Sequence, residues 1–373
     1  LRSNHGDPEG VRHCPIGGVA IITPWNNPYY IPLGKIVPAL LYGNTVAWKP
    51  APQTWPIAAE LQTWMRHKLP SIDSILTFVE GGRDVAERLM NHPAIQAVTL
   101  TGSLESGYSA QEVCARRHLP YQAELGGNNA AIVWGDADLH AAAEMIAEAA
   151  FGLAGQRCTA NRRVIVQASR RPEFMSHLER VTAAMPWGDP LNEGTRIGPL
   201  ATAAQCDRVA AMVRRASNTC TRSWVPASLR EPLASWGHAG AWHPPVIIEC
   251  HDASHEIVQQ ETFGPVLVVQ TAENWNDALD LLNGVPQGLA AALFSRSEVL
   301  VNDFLQKARA GILKINQATA DAGLDLPFGG WKNSGSGPPE HGRFDREFFT
   351  RAQTNYIQTV NSPSLIKSVP FHT

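Results

Sequence analysis

The strongest constraint on this chain is an alternation in its first third. Short β-like runs at residues 19–23, 45–48, 75–79 and 97–100 alternate with helical patterns at 31–41, 55–67, 84–91 and 105–116. Strands separated by helices of this length predict right-handed βαβ crossovers and a parallel sheet. Ligands on such sheets sit beyond the carboxyl ends of the strands. Thr23 to Asn26, Lys49, Gly81 and Gly82, and Gly102 and Ser103 fall at those ends.

A second α/β region begins near Gly126. It carries strand patterns at 130–134, 163–167, 266–270, 291–294 and 312–315, and helical patterns at 139–150, 172–184, 204–215 and 299–309. Residues 217–245 are rich in Trp, Pro and Ser and read as irregular loop. With 373 residues, two domains or one large one are expected. Charged residues are 17% of the chain, below the usual quarter, which points to extensive buried surface.

Several function classes are disfavoured. The net charge is −3, with no basic stripe, so no nucleic-acid partner is expected. No apolar run is long enough to cross a membrane, and Pro24 ends the apolar run 17–23. No secretory signal is visible. The cysteines at 14, 114, 158, 206, 220 and 250 are scattered and fit free thiols in a reducing, cytoplasmic compartment. There is no CxxC or HExxH, and His255-Glu256 lacks a second His four residues on, so no metal site is assigned.

One cysteine stands apart. Cys158 lies in Phe151-Gly152-Leu153-Ala154-Gly155-Gln156-Arg157-Cys158-Thr159-Ala160, after an Ala-rich helix pattern. Most free cysteines are small buried hydrophobes, but a loop of small residues suits an approachable thiol. Glu124, before Leu125-Gly126-Gly127, is a surface carboxylate on the bland reading and a candidate base on the other. Asn26, in Pro24-Trp25-Asn26-Asn27-Pro28, is a turn former or an amide donor. Thr101-Gly102-Ser103 reads equally as an ordinary helix N-cap. Gly81-Gly82 reads as a plain turn and Glu261 as a loop carboxylate, if each is taken alone. The GxGxxG fingerprint is absent.

Taken in order, these stretches resemble the NAD(P)-dependent aldehyde dehydrogenase superfamily over nearly the whole chain, down to Leu326-Pro327-Phe328-Gly329-Gly330-Trp331-Lys332-Asn333-Ser334-Gly335. The resemblance implies an α/β fold, with a Rossmann-like parallel-sheet cofactor domain and an α/β catalytic domain. The expected divisions are an oligomerisation lead-in at 1–14 and a dinucleotide-binding domain at 15–125. A catalytic domain at 126–328 and a C-terminal return and oligomerisation segment at 329–373 follow, with an oligomerisation strand at 355–369. Only 23 residues precede Pro24, so the chain is expected to lack an N-terminal segment that the family carries.

By the same resemblance Cys158 is the nucleophile, Glu124 the general base for thioester hydrolysis, and Asn26 an oxyanion donor together with the Cys158 N–H. NAD or NADP is the implied cofactor. Thr23, Pro24, Trp25, Lys49, Gly82, Gly102, Ser103, Leu125, Glu261 and Phe263 are the implied contacts. Lys49 would meet the adenosine ribose or a 2′-phosphate, Glu261 the nicotinamide ribose, and Phe263 the nicotinamide. Many NAD-preferring members carry Glu three residues after this Lys; Pro52 stands there, so NADP should be tolerated. Asn27 replaces the usual aromatic and Asn128 the usual Lys. Glu340 is a candidate for a proton path. The implied activity is oxidation of an aldehyde to a carboxylic acid, in a homo-oligomer (dimer or tetramer). Two alternatives stand beside it: a cysteine-dependent thioester or ester hydrolase, and a truncated non-catalytic relative acting as a binding or structural protein.

Overall fold

The structure, a computed structural model, describes residues 9–229, 240–323 and 325–356. Two sheets dominate it. The first has six strands in the spatial order Gly335–Ser336, Tyr121–Glu124, Ala97–Thr101, Gly18–Thr23, Thr45–Pro50, Leu76–Phe78. Five run parallel, and the two-residue Gly335–Ser336 strand pairs antiparallel with Tyr121–Glu124. Helices Tyr30–Leu41, Trp55–Lys68, Arg83–Asn91 and Leu104–Arg117 connect the strands, as the alternation predicts.

A parallel sheet covered on both faces needs strands that are apolar throughout. Val19, Ala20 and Ile21 are fully buried. Period two divides them: Val19 and Ile21 join one core with Ile36, Trp48 and Phe349, while Ala20 and Ile22 join another with Val98, Leu100 and Val113.

The second sheet has seven strands in the order Ile312–Ile315, Ala290–Phe294, Ala130–Val133, Arg163–Gln167, Val266–Ala272, Val246–Glu249, Arg222–Trp224. All neighbours are parallel except the last pair. Here the loop reading of 217–245 needs correction. The helix Ala203–Thr219 runs further than its pattern, and Arg222–Trp224 forms an edge strand. Backbone pairing with Val246–Glu249 overrides the irregular composition. The helix Trp275–Asn283, capped by Asn274, was also not anticipated.

From the second sheet the chain returns to the first. Gly335–Ser336 extends its edge, and Phe348 and Phe349 of the helix Phe344–Phe349 enter its core. Glu9–Pro15 then pairs antiparallel with Thr350–Tyr356 as a separate ribbon. Residues 1–8 of the expected lead-in, and 357–369 of the expected C-terminal strand, lie outside the described residues.

Candidate active site

The parallel register sets the carboxyl ends of the first sheet in a row: Glu124 is paired with Thr101, Ile22 with Leu100, and Thr23 with Pro50. The loop that carries Cys158 lies at the other kind of edge. It joins the helix Leu139–Phe151 to the strand Arg163–Gln167, at the amino ends of the second sheet. Phe263 and Gly264, just before Val266–Ala272, share that edge. Two contacts join the edges. Asn26 Nδ2 donates to Gln156 O at 3.0 Å, and the Trp25 and Phe263 rings meet edge-to-face at 5.5 Å.

Leu153, Ala154 and Gly155 all adopt positive φ (54°, 52° and 67°). Left-handed geometry costs non-glycine residues roughly 1–3 kcal/mol each. A Cβ at Gly155 would stand 2.3 Å from Gly264 O, so only glycine fits there. Side chains hold the turn in place by its carbonyls. Arg162 donates to Gly155 O, and to Arg157 O and Gly264 O at 3.0 and 2.9 Å. Asn129 Nδ2 donates to Cys158 O and Ala160 O at 2.7 and 2.9 Å, and Thr319 Oγ1 donates to Thr159 O at 2.7 Å. With these carbonyls tied back, the N–H groups of Thr159 and Cys158 are left to favour the thiolate.

Cys158 keeps partial solvent exposure. Burial pushes its thiol up to about 12, with Glu261 and Glu124 adding to the shift and the N–H groups of Thr159 and Cys158 opposing it. Glu124 is buried (3% exposed) and accepts from Gly330 N–H at 3.3 Å. Burial first, then Glu340, raises its carboxyl well above the usual range, against Lys35 and the Gly330 N–H. Behind it, Lys35 pairs with Glu340 and donates to Thr99 Oγ1 at 2.8 Å; Thr99 donates to Gln122 Oε1 at 2.9 Å. All four side chains are buried.

Glu261 Oε1 accepts from Gly127 N–H at 3.1 Å. A Cβ on Gly126 would stand 2.1 Å from its other oxygen, so the glycine pair admits the carboxylate. Burial raises Glu261 to about 7, against Arg162, the Gly127 N–H and Arg208. Phe263 has φ 48°, and Arg162 lies over its ring at 5.6 Å.

The sequence-derived cofactor residues divide into two sets. Lys49 is buried at its strand end, donates to Pro50 O at 3.2 Å, and has its pKa lowered by burial against the pull of Asp84. Gly82 precedes the helix Arg83–Asn91, and Gly102 N donates to Glu124 O at 3.0 Å. Three others also have structural duties. Thr23 Oγ1 accepts from Trp48 Nε1 at 2.9 Å, Ser103 caps its helix through Ser106 N at 3.2 Å, and Leu125 packs on Gly107. Pro24 is half-buried beside Trp25. A dinucleotide fits this row on one further observation: Thr101 Oγ1, one residue before Gly102, is buried with no hydrogen-bond partner. The sequence reading missed Lys35 and Asn129, and took Thr101 only as part of the Thr101-Gly102-Ser103 turn. A lone Lys in an apolar helix gave no signal, since its partner lies 305 residues away.

Parallel-strand ends that meet a loop carrying a half-buried cysteine define the class as an oxidoreductase. The chain belongs to the aldehyde dehydrogenase family: the sequence model described as "Aldehyde dehydrogenase family" matches residues 2–355. It is 34% identical over 347 residues to alpha-ketoglutaric semialdehyde dehydrogenase of Bacillus subtilis, covering 92% of this chain and 70% of that protein. Its fold is similar to an NAD-dependent aldehyde dehydrogenase from Sinorhizobium meliloti, with TM-score 0.89 and 31% identity over 99% of this chain and 71% of that one. A Mycobacterium tuberculosis aldehyde dehydrogenase complexed with NAD+ superposes with TM-score 0.85 at 30% identity, over 94% and 71% of the two chains. The activity is oxidation of an aldehyde with NAD or NADP, and the hydrolase and non-catalytic readings are not favoured. Among the described residues no helix is long and apolar enough to cross a membrane.

Proposed function

We propose that Cys158 is the nucleophile of this oxidation, Asn26 and the Cys158 N–H the oxyanion donors, and Glu124 the base that activates water. The observation that carries this reading is the Asn26–Gln156 contact. It sets an amide donor from the first sheet against the loop whose tied-back carbonyls leave N–H groups to favour the thiolate.

The thiol is protonated at rest, so its proton must leave as the Cys158 sulfur attacks the aldehyde carbon. Cys158 keeps partial solvent exposure, so water can take that proton; Glu124, a carboxyl held well above its usual value, is suited to act as a base near neutrality in the later hydrolysis. The tetrahedral oxygen then meets Asn26 Nδ2 and the Cys158 N–H; donors fixed in advance cost no reorganisation as charge develops. NAD or NADP, when bound, accepts the hydride that turns the thiohemiacetal into a thioester. Glu124 next deprotonates water for attack on the thioester carbon. Glu340 and Lys35, buried behind Glu124, set its charge from opposite directions.

Lys49, Gly82, Gly102 and Ser103 would line the adenosine side, and Thr23, Pro24, Trp25, Leu125, Glu261 and Phe263 the nicotinamide side. Pro52 offers no carboxylate against a 2′-phosphate, so both cofactors should serve. The domain divisions at 15–125 and 126–328 follow the two sheets. The ribbon of Glu9–Pro15 and Thr350–Tyr356, with its largely exposed strand Thr350–Tyr356, suits a dimer or tetramer contact, and the free cysteines suit a cytoplasmic site.

The test is reduced-nicotinamide absorbance with a panel of aliphatic, aromatic and acidic aldehydes, using NAD and NADP separately. Turnover should vanish in Cys158→Ser. Turnover that survives that substitution sinks the assignment.

A further inference from the structure

A second group of soft ligands lies at the root of the segment that carries Glu261 and Phe263. Cys220 closes the helix Ala203–Thr219, Cys250 follows the strand Val246–Glu249, and His255 caps the helix Glu256–Gln259. One ligand atom from each lies within 4.8 Å of the others, the one such trio among the described residues. Cys250 is buried, while Cys220 and His255 are half-buried, so one side stays open to solvent.

The histidine is already oriented. Its Nδ1 lies 3.0 Å from Ile257 N–H, a donor, so Nδ1 holds the lone pair and Nε2 the proton. Nε2–H then donates to Thr219 Oγ1 at 2.8 Å, and Thr219 Oγ1 donates to Arg215 O at 3.0 Å. A metal-binding imidazole is commonly fixed this way, through an outer oxygen that takes its other N–H. Cys250 Sγ donates to Asp252 O at 3.7 Å, in the turn that leads to His255. A doubly charged cation would turn both thiols into thiolates with no net charge left over, and the nearby Asp252 carboxylate adds to the attraction.

We propose that Cys220, Cys250 and His255 form a binding site for a soft divalent cation of the zinc type. Two thiolates and one imidazole would bind it, with water in the fourth position of a tetrahedron. Binding breaks two S–H bonds, forms two metal–sulfur bonds and one metal–nitrogen bond, and releases two protons to solvent; no electron moves. Ile257 N–H gives up His255 and turns to water at the start of its four-residue helix. The bound ion would join the helix Ala203–Thr219 to the segment 255–264. Arg215–Glu256 at 2.7 Å and Arg208 to Glu261 O at 3.2 Å already link the two. The three ligands come from separate elements, which is why no compact Cys/His spacing announces them.

The test uses the full chain with Cys158→Ser, so that the catalytic thiol contributes nothing. Under reducing conditions it is titrated with zinc chloride against a chromophoric chelator. One zinc per chain is expected. Cys220→Ser or Cys250→Ser should each weaken binding by on the order of a hundredfold, and Cys14→Ser should leave it unchanged. Cobalt(II) on the chain with all three ligands intact should give a thiolate-to-metal charge-transfer band, a readout independent of how the ligand variants fold. Absence of that band and of stoichiometric zinc overturns the proposal. So does zinc binding that survives Cys220→Ser and Cys250→Ser together, or a pair that only forms a disulfide and holds no zinc once reduced.

Discussion

Lys35 and Glu340 form an ion pair sealed from solvent, one from the first connecting helix and the other from the returning C-terminal segment. Their charges act on Glu124 in opposite directions, Glu340 raising its carboxyl and Lys35 lowering it. The carboxyl of Glu124 is thus set by a pair that lies behind it.

Removing one partner of a buried pair strands the other charge, at about 3–5 kcal/mol. Lys35→Met should therefore lower the unfolding midpoint far more than Lys35→Met combined with Glu340→Leu. A urea titration of wild type, both single variants and the double variant measures the coupling. Equal losses in single and double variants would contradict the pairing.

Asn26→Ala should lower kcat on the order of a hundredfold. The alkylation rate of Cys158 by iodoacetamide should change little, because the N–H groups that favour the thiolate are held by Arg162, Asn129 and Thr319 instead. A parallel loss of alkylation would mean that Asn26 serves the loop and not the oxyanion.

Glu124→Gln should separate the two halves of the reaction. Rapid mixing should show one equivalent of reduced cofactor per active site, followed by slow release of acid. If the first equivalent is also lost, proton removal from Cys158 is the step that depends on Glu124.

Glu261 carries a pH signature. Its folded pKa of about 7 lies above the unfolded carboxylate value. Its contribution to stability is therefore full below the unfolded pKa and is lost as pH rises through about 7. Glu261→Gln should raise the unfolding midpoint at pH 8 by the equivalent of roughly 1–3 kcal/mol, shrinking to nothing near pH 4. If Glu261 holds the nicotinamide ribose, the same variant should bind NAD more weakly. Thermal melts across pH, with and without NAD, report both effects.

Much of this site could be read from the sequence because it sits on regular structure. Thr23, Lys49, Gly82, Gly102 and Ser103 follow from strand ends, and strand ends follow from apolar runs. Cys158 and Gly155 stood out as a small-residue loop. Long-range pairing left no local trace. Lys35 in an apolar helix is unremarkable until Glu340 arrives, and Arg162 gave no sign that it would face back into its own loop. Arg222–Trp224 was hidden because a three-residue edge strand takes its stability from its neighbour and not from its composition. Phe263 gave no hint of its left-handed backbone, which only the packing of Trp25 and Arg162 around its ring makes sensible.

The two-residue strand Gly335–Ser336 lies beside Glu124 and closes the edge of a sheet otherwise complete by residue 124. A chain made from its amino end would have the other five strands of that sheet in hand long before Gly330, Gly335 and Glu340 leave the ribosome. A nascent chain of that length would hold Cys158 and the five-strand platform while Glu124 still lacked its final surroundings. The ionisation of Glu124 is thus set by the segment that arrives last among those that surround it.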